Sequence, residues 1–343
     1  MFSTLIFAFE AVFPLVFIIF LGYWFRRIGL FSEEFLSKGY SFSFRVALPC
    51  LLFCNVYSIE SLSDIDFRTV LYTMAVVILL FVIGTMIAVS VIPDKRQRGV
   101  VVQCFFRSNC AILGISLTES LGGASALQCA AVVTAFTIPL FNILAVVSLS
   151  VFCGEKREGR RGLLAIDWKD VCLKIAKNPL IIGVCLGLLC LVVRSFIPVN
   201  GAGEKVFLLS KQLGFLYSVV QSLAKIASPF MLLVLGGQFT FSAVKRMKKQ
   251  ILIGTTARIL LAPVLAIGLG YLLSECGVLS LGTSEYATFI AVFATPVAVS
   301  SAIMAREMGN DDILAGQLVV WTSIGSVFTI FLLATLLRLL GFL

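Results

Sequence analysis

The sequence predicts an all-α integral membrane protein: ten transmembrane helices forming two inverted five-helix repeats, with the fourth and ninth spans broken and crossed. Three observations carry that prediction. Of 343 residues 59% are hydrophobic and 13% charged, and mean hydropathy is +1.05, more apolar surface than a water-soluble domain of this length can bury. Ten apolar runs follow one another at about 4–25, 38–57, 68–92, 99–121, 125–153, 178–198, 212–241, 251–274, 285–308 and 314–341. Each is near or above the length a helix needs to cross ~30 Å of hydrocarbon. Finally, motifs from the first half return in the second half in the same order.

Arg45-Val46-Ala47-Leu48-Pro49 is matched 180 positions later by Lys225-Ile226-Ala227-Ser228-Pro229. Ser108-Asn109, Gly122 and Val132-Val133 line up at a shift of 187 with Thr295-Pro296, Gly309 and Val319-Val320. Because five spans is an odd number, the second copy enters the membrane from the opposite side, the arrangement of many secondary transporters. The expected units are residues 1–153, the first five-span repeat, and 178–343, the second. Between them, 154–177 is read as a cytoplasmic linker ending in an interfacial helix with Leu163, Leu164, Ile166, Trp168, Val171 and Ile175.

Orientation follows from the basic residues, since short cytoplasmic loops carry the excess. Turns after odd-numbered spans hold Arg26, Arg27, Lys95, Arg96, Arg98, Lys156, Arg157, Arg160, Arg161, Lys245, Arg246, Lys248 and Lys249. Turns after even-numbered spans are poorer in them and carry Glu60, Asp64, Asp66 and Glu285. Both termini are therefore expected outside a plasma membrane, with the first span an N-out anchor helix. The net charge of +9 is a topology signal and not evidence for nucleic acid.

Ten cysteines lie mostly within apolar runs without a Cys-x-x-Cys, and histidine is absent, so neither a metal centre nor a disulfide framework is expected. No cofactor is expected either. The spans offer no nucleophile-base pair or intramembrane Asp pair, so an enzyme is not the reading.

A helix can break inside a bilayer only where protein or a water-filled cavity satisfies the freed backbone. Arg107-Ser108-Asn109-Cys110-Ala111-Ile112-Leu113-Gly114 places a cation, two cap-forming side chains and a glycine within the fourth span. Ala294-Thr295-Pro296-Val297 places a cap residue directly before proline in the ninth. Both read as the start of a second half-helix. Each such start presents unpaired N–H groups and about +0.5 of a charge, and with Arg107 beside them an anion is the natural occupant. The candidate substrate-binding residues are Arg107, Ser108, Asn109, Gly114, Thr295, Pro296 and Val297, with Asn142, Gln128 and Gln317 from the helices that follow the breaks. Glu10, the only carboxylate well inside the first span, is the candidate for proton coupling. Pro49 and Pro229 have apolar flanks and read as a supporting wall. Gly309, in the charged turn Arg306 to Asp312, reads as a helix stop.

Arg107 through Leu117 resembles the fourth-span crossover signature of the auxin efflux carrier family, which includes plant PIN proteins and bacterial malate or malonate permease-like members. Ala294 through Ala305, followed by Gly309-Asn310-Asp311, is similar to that family's ninth-span crossover, and Pro229 through Gly237 extends the likeness to the seventh span. The resemblance implies a scaffold of spans 1, 2, 6 and 7, a moving transport domain of the other six, and substrate where spans four and nine cross. It places the family's crossover asparagine on Asn109 and its crossover proline on Pro296. The chain departs from the PIN pattern in having no proline beside Asn109 and no asparagine beside Pro296, and its short inner loop resembles the bacterial members.

The reading is a secondary transporter of a small organic anion, a mono- or dicarboxylate, working by elevator-type alternating access. An anion channel or a carboxylate sensor on the same fold is the alternative. The expected partners are the substrate, the lipid bilayer and a second copy meeting it through the scaffold spans. In a cysteine-free background, Ser63→Cys should react with an impermeant maleimide on intact cells and Gly159→Cys only after permeabilisation. The reverse pattern would invert the topology.

Overall fold

The computed structural model describes residues 2–58, 67–153, 168–197 and 208–343. The polar linker at 154–167 and the acidic turn with Glu60, Asp64 and Asp66 lie outside the described residues. The described residues are mostly helical, with no strand among them.

The first half runs through α1 (Phe2–Arg27), α2 (Glu33–Phe42), a π-helical turn at Ser43–Ala47, α3 (Leu48–Tyr57), α4 (Phe67–Val91) and α5 (Lys95–Phe106). A second π turn at Cys110–Gly114 then leads into α6 (Ile115–Cys153). After α7 (Trp168–Ala176) come α8 (Pro179–Phe196), α9 (Leu209–Gln212), α10 (Gly214–Gln238), α11 (Phe241–Arg246) and α12 (Lys248–Thr256). The π turn Ala257–Leu261 joins α12 to α13 (Ala262–Glu275). The chain closes with α14 (Thr283–Phe289), the π turn Ile290–Ala294, α15 (Ser300–Glu307) and α16 (Asp312–Leu339). Among the described residues six helical runs are long and apolar enough to cross a membrane, and Pro179–Arg194 is a shorter apolar one.

Local chemistry explains the boundaries. Ser32, Asp94, Asn178 and Asp311 each accept a backbone N–H at the start of α2, α5, α8 and α16, as N-caps do. Pro49 and Pro263 lack an N–H and would clash with the carbonyl four residues back. In both places the helix widens instead, and the preceding residue donates five residues back: Leu48 to Ser43, and Ala262 to Ala257. Gly309 is the expected helix stop: at φ 72° it lets its own amide reach Arg306 and that of Asn310 reach Ala305, satisfying the last carbonyls of α15. Gly123, next to the Gly122 that the sequence aligned with Gly309, is also at positive φ, 69°, at a kink inside α6.

The helices pack in two groups. In one, α1 lies on α10, and α3 lies on α8 and α10. In the other, α4, α5 and α6 pack together, α14 lies on α6, and α12 and α15 lie on α16. The two groups touch most extensively where α1 meets α16, and also where α6 meets α8 and where α10 and the Ser43–Ala47 turn meet α15. Outside the bundle, Phe9, Phe13, Phe17 and Phe20 stack along an exposed face of α1, a stripe suited to lipid and not to water.

Without a hydrophobic drive between helices in lipid, close backbone approach at small residues holds such a pair. At the α1–α10 crossing a Cβ on Gly22 would meet the Leu233 carbonyl oxygen at 2.0 Å, and one on Gly236 the Ile19 carbonyl oxygen at 1.9 Å. Gly236→Ala must push the helices apart and should cost about 1–3 kcal/mol by overpacking. Gly268→Ala on α13, with nothing within 4 Å, is the control that should leave stability unchanged. Thermal unfolding in detergent checks the pair; equal midpoints would mean the α1–α10 contact is not what holds this group.

Candidate functional site

Helix α5 stops at Phe106, and residues 107–109 are extended before the chain coils again at Cys110. In the second half the π turn stops at Ala294, residues 295–298 are non-helical, and α15 starts at Ser300. The two extended pieces meet. Ser108 and Val297 form an isolated antiparallel bridge, in which the Asn109 amide donates to the Pro296 carbonyl at 2.8 Å. The Val297 amide donates to Thr322 Oγ1 on α16 at 3.2 Å. Freed backbone groups of one broken helix are thus satisfied by the other break and its neighbour.

This corrects the expected role of Thr295-Pro296. The second half-helix begins at Ser300, four residues after the proline, because 296 and 297 are used in pairing with 108 and 109. Thr295 Oγ1 bonds back to the Ala291 carbonyl at 2.8 Å, so it ends the first half and does not cap the second.

Arg107 is 3% exposed and sits at the C-terminal end of α5. Its Nη1 donates to Gln103 Oε1 at 2.9 Å and contacts Met304 Sδ at 2.8 Å. Its Nη2 donates to Asn142 Oδ1 at 3.0 Å and to Ser300 Oγ at 2.8 Å. Four side chains from three helices, α5, α6 and α15, therefore converge on one guanidinium, and all of them are neutral. Among the described residues no carboxylate lies within ion-pair distance of Arg107. A cation left uncompensated in a low-dielectric interior is costly unless a mobile anion completes it.

Beside Arg107 is a cavity of about 50 Å³. Arg107, Ser108, Asn109 and Asn142 line it, together with Ala298, Val299 and Ser300 from the other break. Its opposite wall comes from α3, α8 and α10, through Leu48, Leu51, Leu52, Leu180 and Met231, and is apolar except for Asn55. Three buried groups here have no hydrogen-bond partner: Ser108 Oγ, Asn109 Nδ2 and Asn55 Nδ2. Such orphans are rare in native proteins and cost about 1–3 kcal/mol each unless a ligand or water meets them. Among the described residues no group of metal-binding side chains occurs.

Not every expected residue reaches the cavity. Gly114 is buried where the two breaks pack, with a Cβ position 3.4 Å from that of Ala291. Thr295, Pro296 and Val297 form the crossing itself and do not line the cavity. Gln128 is exposed, and Gln317 donates to the Thr240 carbonyl at 2.8 Å, beyond the cavity lining. Glu10 is exposed on α1 and also lies outside the lining.

Sequence reasoning missed Asn55, Ser300 and, above all, Arg258. This arginine is fully buried in the π turn between α12 and α13, and its Nη2 donates to the carbonyls of Val292 (3.2 Å) and Phe293. Those are among the last carbonyls before the break at 295–298, where the helix dipole is negative and a cation is stabilised. The available signal was a single arginine inside the apolar run 251–274. Each broken helix thus has an arginine at the C-terminal end of its first half.

The family model of membrane transport proteins, the auxin efflux carriers, matches residues 7–334, nearly the whole chain. The chain belongs to the auxin efflux carrier family. No match was found among curated proteins. Membership makes it a membrane transport protein and gives the crossing a functional setting, since the residues that carried the resemblance, Arg107 to Leu117 and Ala294 to Ala305, contain both breaks.

Arg258→Met removes both carbonyl bonds while filling the space, and should destabilise the end of the ninth-span first half by about 1–3 kcal/mol. Hydrogen exchange should quicken across 289–295 while α4 keeps its protection. Unchanged exchange there would show that Arg258 does not hold the break.

Proposed function

We propose that this protein is a secondary transporter of a small organic anion, a mono- or dicarboxylate, bound at the crossing of the fourth and ninth spans. The observation that carries the reading is a buried arginine without a carboxylate partner, beside a cavity with two orphaned amide groups and an orphaned hydroxyl. Donors and positive charge concentrate there, and a carboxylate is the ligand that uses both. One carboxylate oxygen pairs with Asn109 Nδ2 and Ser108 Oγ, while Arg107 contributes the charge and orients Asn142 and Ser300.

The cavity is small, about 50 Å³, enough for a few waters or a carboxylate group. A larger anion needs the wall of Leu51, Leu52, Asn55 and Met231 to separate from the crossing. That wall belongs to the α1–α3–α8–α10 group and the crossing to the other, so relative motion of the two groups opens and closes the site. This is elevator-type alternating access, with the first group as scaffold and as the surface for a second copy. In this reading both termini face outside the plasma membrane, and an inside-negative potential supplies about 2.3 kcal/mol per charge per 100 mV for expelling an anion.

Competition assays with matched mono-acid, di-acid and amide ligands test the charge requirement. The acids should inhibit transport in vesicles well beyond the amide, because charge-assisted hydrogen bonds are roughly twice as strong as neutral ones. Arg107→Gln should weaken the di-acid more than the mono-acid. Equal inhibition by acid and amide in the wild type would remove the anion reading, and an ohmic current in place of saturable counterflow would make the protein a channel.

A further inference from the structure

A second cavity, of about 800 Å³, opens at the end of the bundle that bears the basic turns, and shares no lining residue with the crossing cavity. Helix α15 connects the two: Ser300 lines one and Arg306 the other, six residues and about 9 Å apart. Four guanidiniums line the second cavity, Arg26 and Arg27 from α1, Arg96 from α5 and Arg306 from α15, against two carboxylates, Glu33 and Asp312.

The carboxylates are already engaged. Glu33 Oε1 lies 2.7 Å from Arg26 Nη2, and Asp312 Oδ2 lies 3.6 Å from Arg306 Nη1, whose guanidinium stands over the Tyr40 ring at 4.7 Å. Two arginines are left over. Arg27 donates through Nε alone, to Tyr23 Oη at 2.9 Å, with its guanidinium 5.3 Å from that ring's centre. Arg96 donates Nε to the Gly309 carbonyl at 3.2 Å and Nη2 to that of Asn310 at 3.5 Å. Among the described residues, both terminal nitrogens of Arg27 and Nη1 of Arg96 have no partner.

We propose that this cavity binds a phosphate-bearing anion, gripped by Arg27 from one helix group and Arg96 from the other. The planar guanidinium fork matches phosphate oxygens two at a time, and the volume lies within the range of small-ligand sites. Tyr23 and the basic turns put the cavity at headgroup depth, so the phosphate comes either from an anionic lipid or from a soluble polyphosphate. Because α1 packs with α10 while α5 packs with α4 and α6, an anion held by both arginines ties the two groups together. It therefore favours whichever arrangement brings Arg27 and Arg96 to one ligand, and acts on alternation without entering the crossing.

The test uses the full chain in detergent, titrated with pyrophosphate against sodium chloride of equal ionic strength, and read as the melting temperature. The wild type should show a saturable rise, with half-saturation about tenfold or more weaker in Arg27→Gln and in Arg96→Gln. Arg27→Lys, which keeps the charge and loses the fork, should fall between, and it carries the comparison if a glutamine variant fails to fold. Lys248→Gln, outside the cavity, should match the wild type. A parallel arm compares nanodiscs of phosphatidylcholine with and without phosphatidylglycerol. Stabilisation by phosphatidylglycerol that the arginine variants lose, without a pyrophosphate effect, assigns the site to lipid. A rise that chloride reproduces or the variants retain, or no arginine-dependent stabilisation in either arm, overturns the proposal.

Discussion

The hydrogen bond from the Asn109 amide to the Pro296 carbonyl, with the Ser108–Val297 bridge around it, is the constraint on which the middle of this bundle depends. Two helices stop part-way across an apolar layer, and each stop frees backbone groups that hydrocarbon cannot satisfy. One break alone would be strongly unfavourable. Two breaks brought face to face satisfy each other, so neither half of the chain can form its site without the other. The pairing also places two half-helix starts and the cavity residues of both breaks in one small volume, which local sequence alone does not do.

The arginines complete the same electrostatic pattern from the other side. The first halves end with carbonyls directed at the crossing, and Arg107 and Arg258 sit at those ends. They differ in what they leave unmet. Arg258 spends one nitrogen on main-chain carbonyls and lines no described cavity, while Arg107 faces the cavity and collects neutral side chains from α5, α6 and α15. Arg107 is thus tied to Ser300 and Met304 on the far side of the crossing, and under the proposed function it links a bound anion to them.

Much of this was legible in the sequence because its causes are local. A Ser-Asn pair after an arginine, or a Thr-Pro step, disrupts an apolar helix wherever it occurs, and both breaks fall at those residues. Gly309 was readable for the same reason. What was not legible depended on distant partners. The start of α15 at Ser300 follows from the pairing of 296 and 297 with residues nearly two hundred positions away. Arg258 acts on carbonyls 34 and 35 positions later, a relation that no periodicity reveals. Gln128 and Gln317 were inferred from polarity within a span, and polarity does not say which side of a helix faces the cavity: one is exposed and the other holds the Thr240 carbonyl.

The charge at the crossing also bears on energetics. The chain has no histidine, no carboxylate among the described residues lines the crossing cavity, and Glu10 lies outside it. A carrier of this design has no titratable acid at the substrate to discharge the site between strokes, and an arginine guanidinium does not deprotonate in its place. Under the proposed mechanism the empty site then crosses the field with one more positive charge than the site loaded with a monocarboxylate. A dicarboxylate widens that difference to two. At 100 mV each unit is worth about 2.3 kcal/mol, so with a monocarboxylate the potential acts on the empty stroke alone, and with a dicarboxylate it acts oppositely on the loaded and empty strokes. Under the proposed mechanism, the number of carboxylates on the substrate sets the size of that effect.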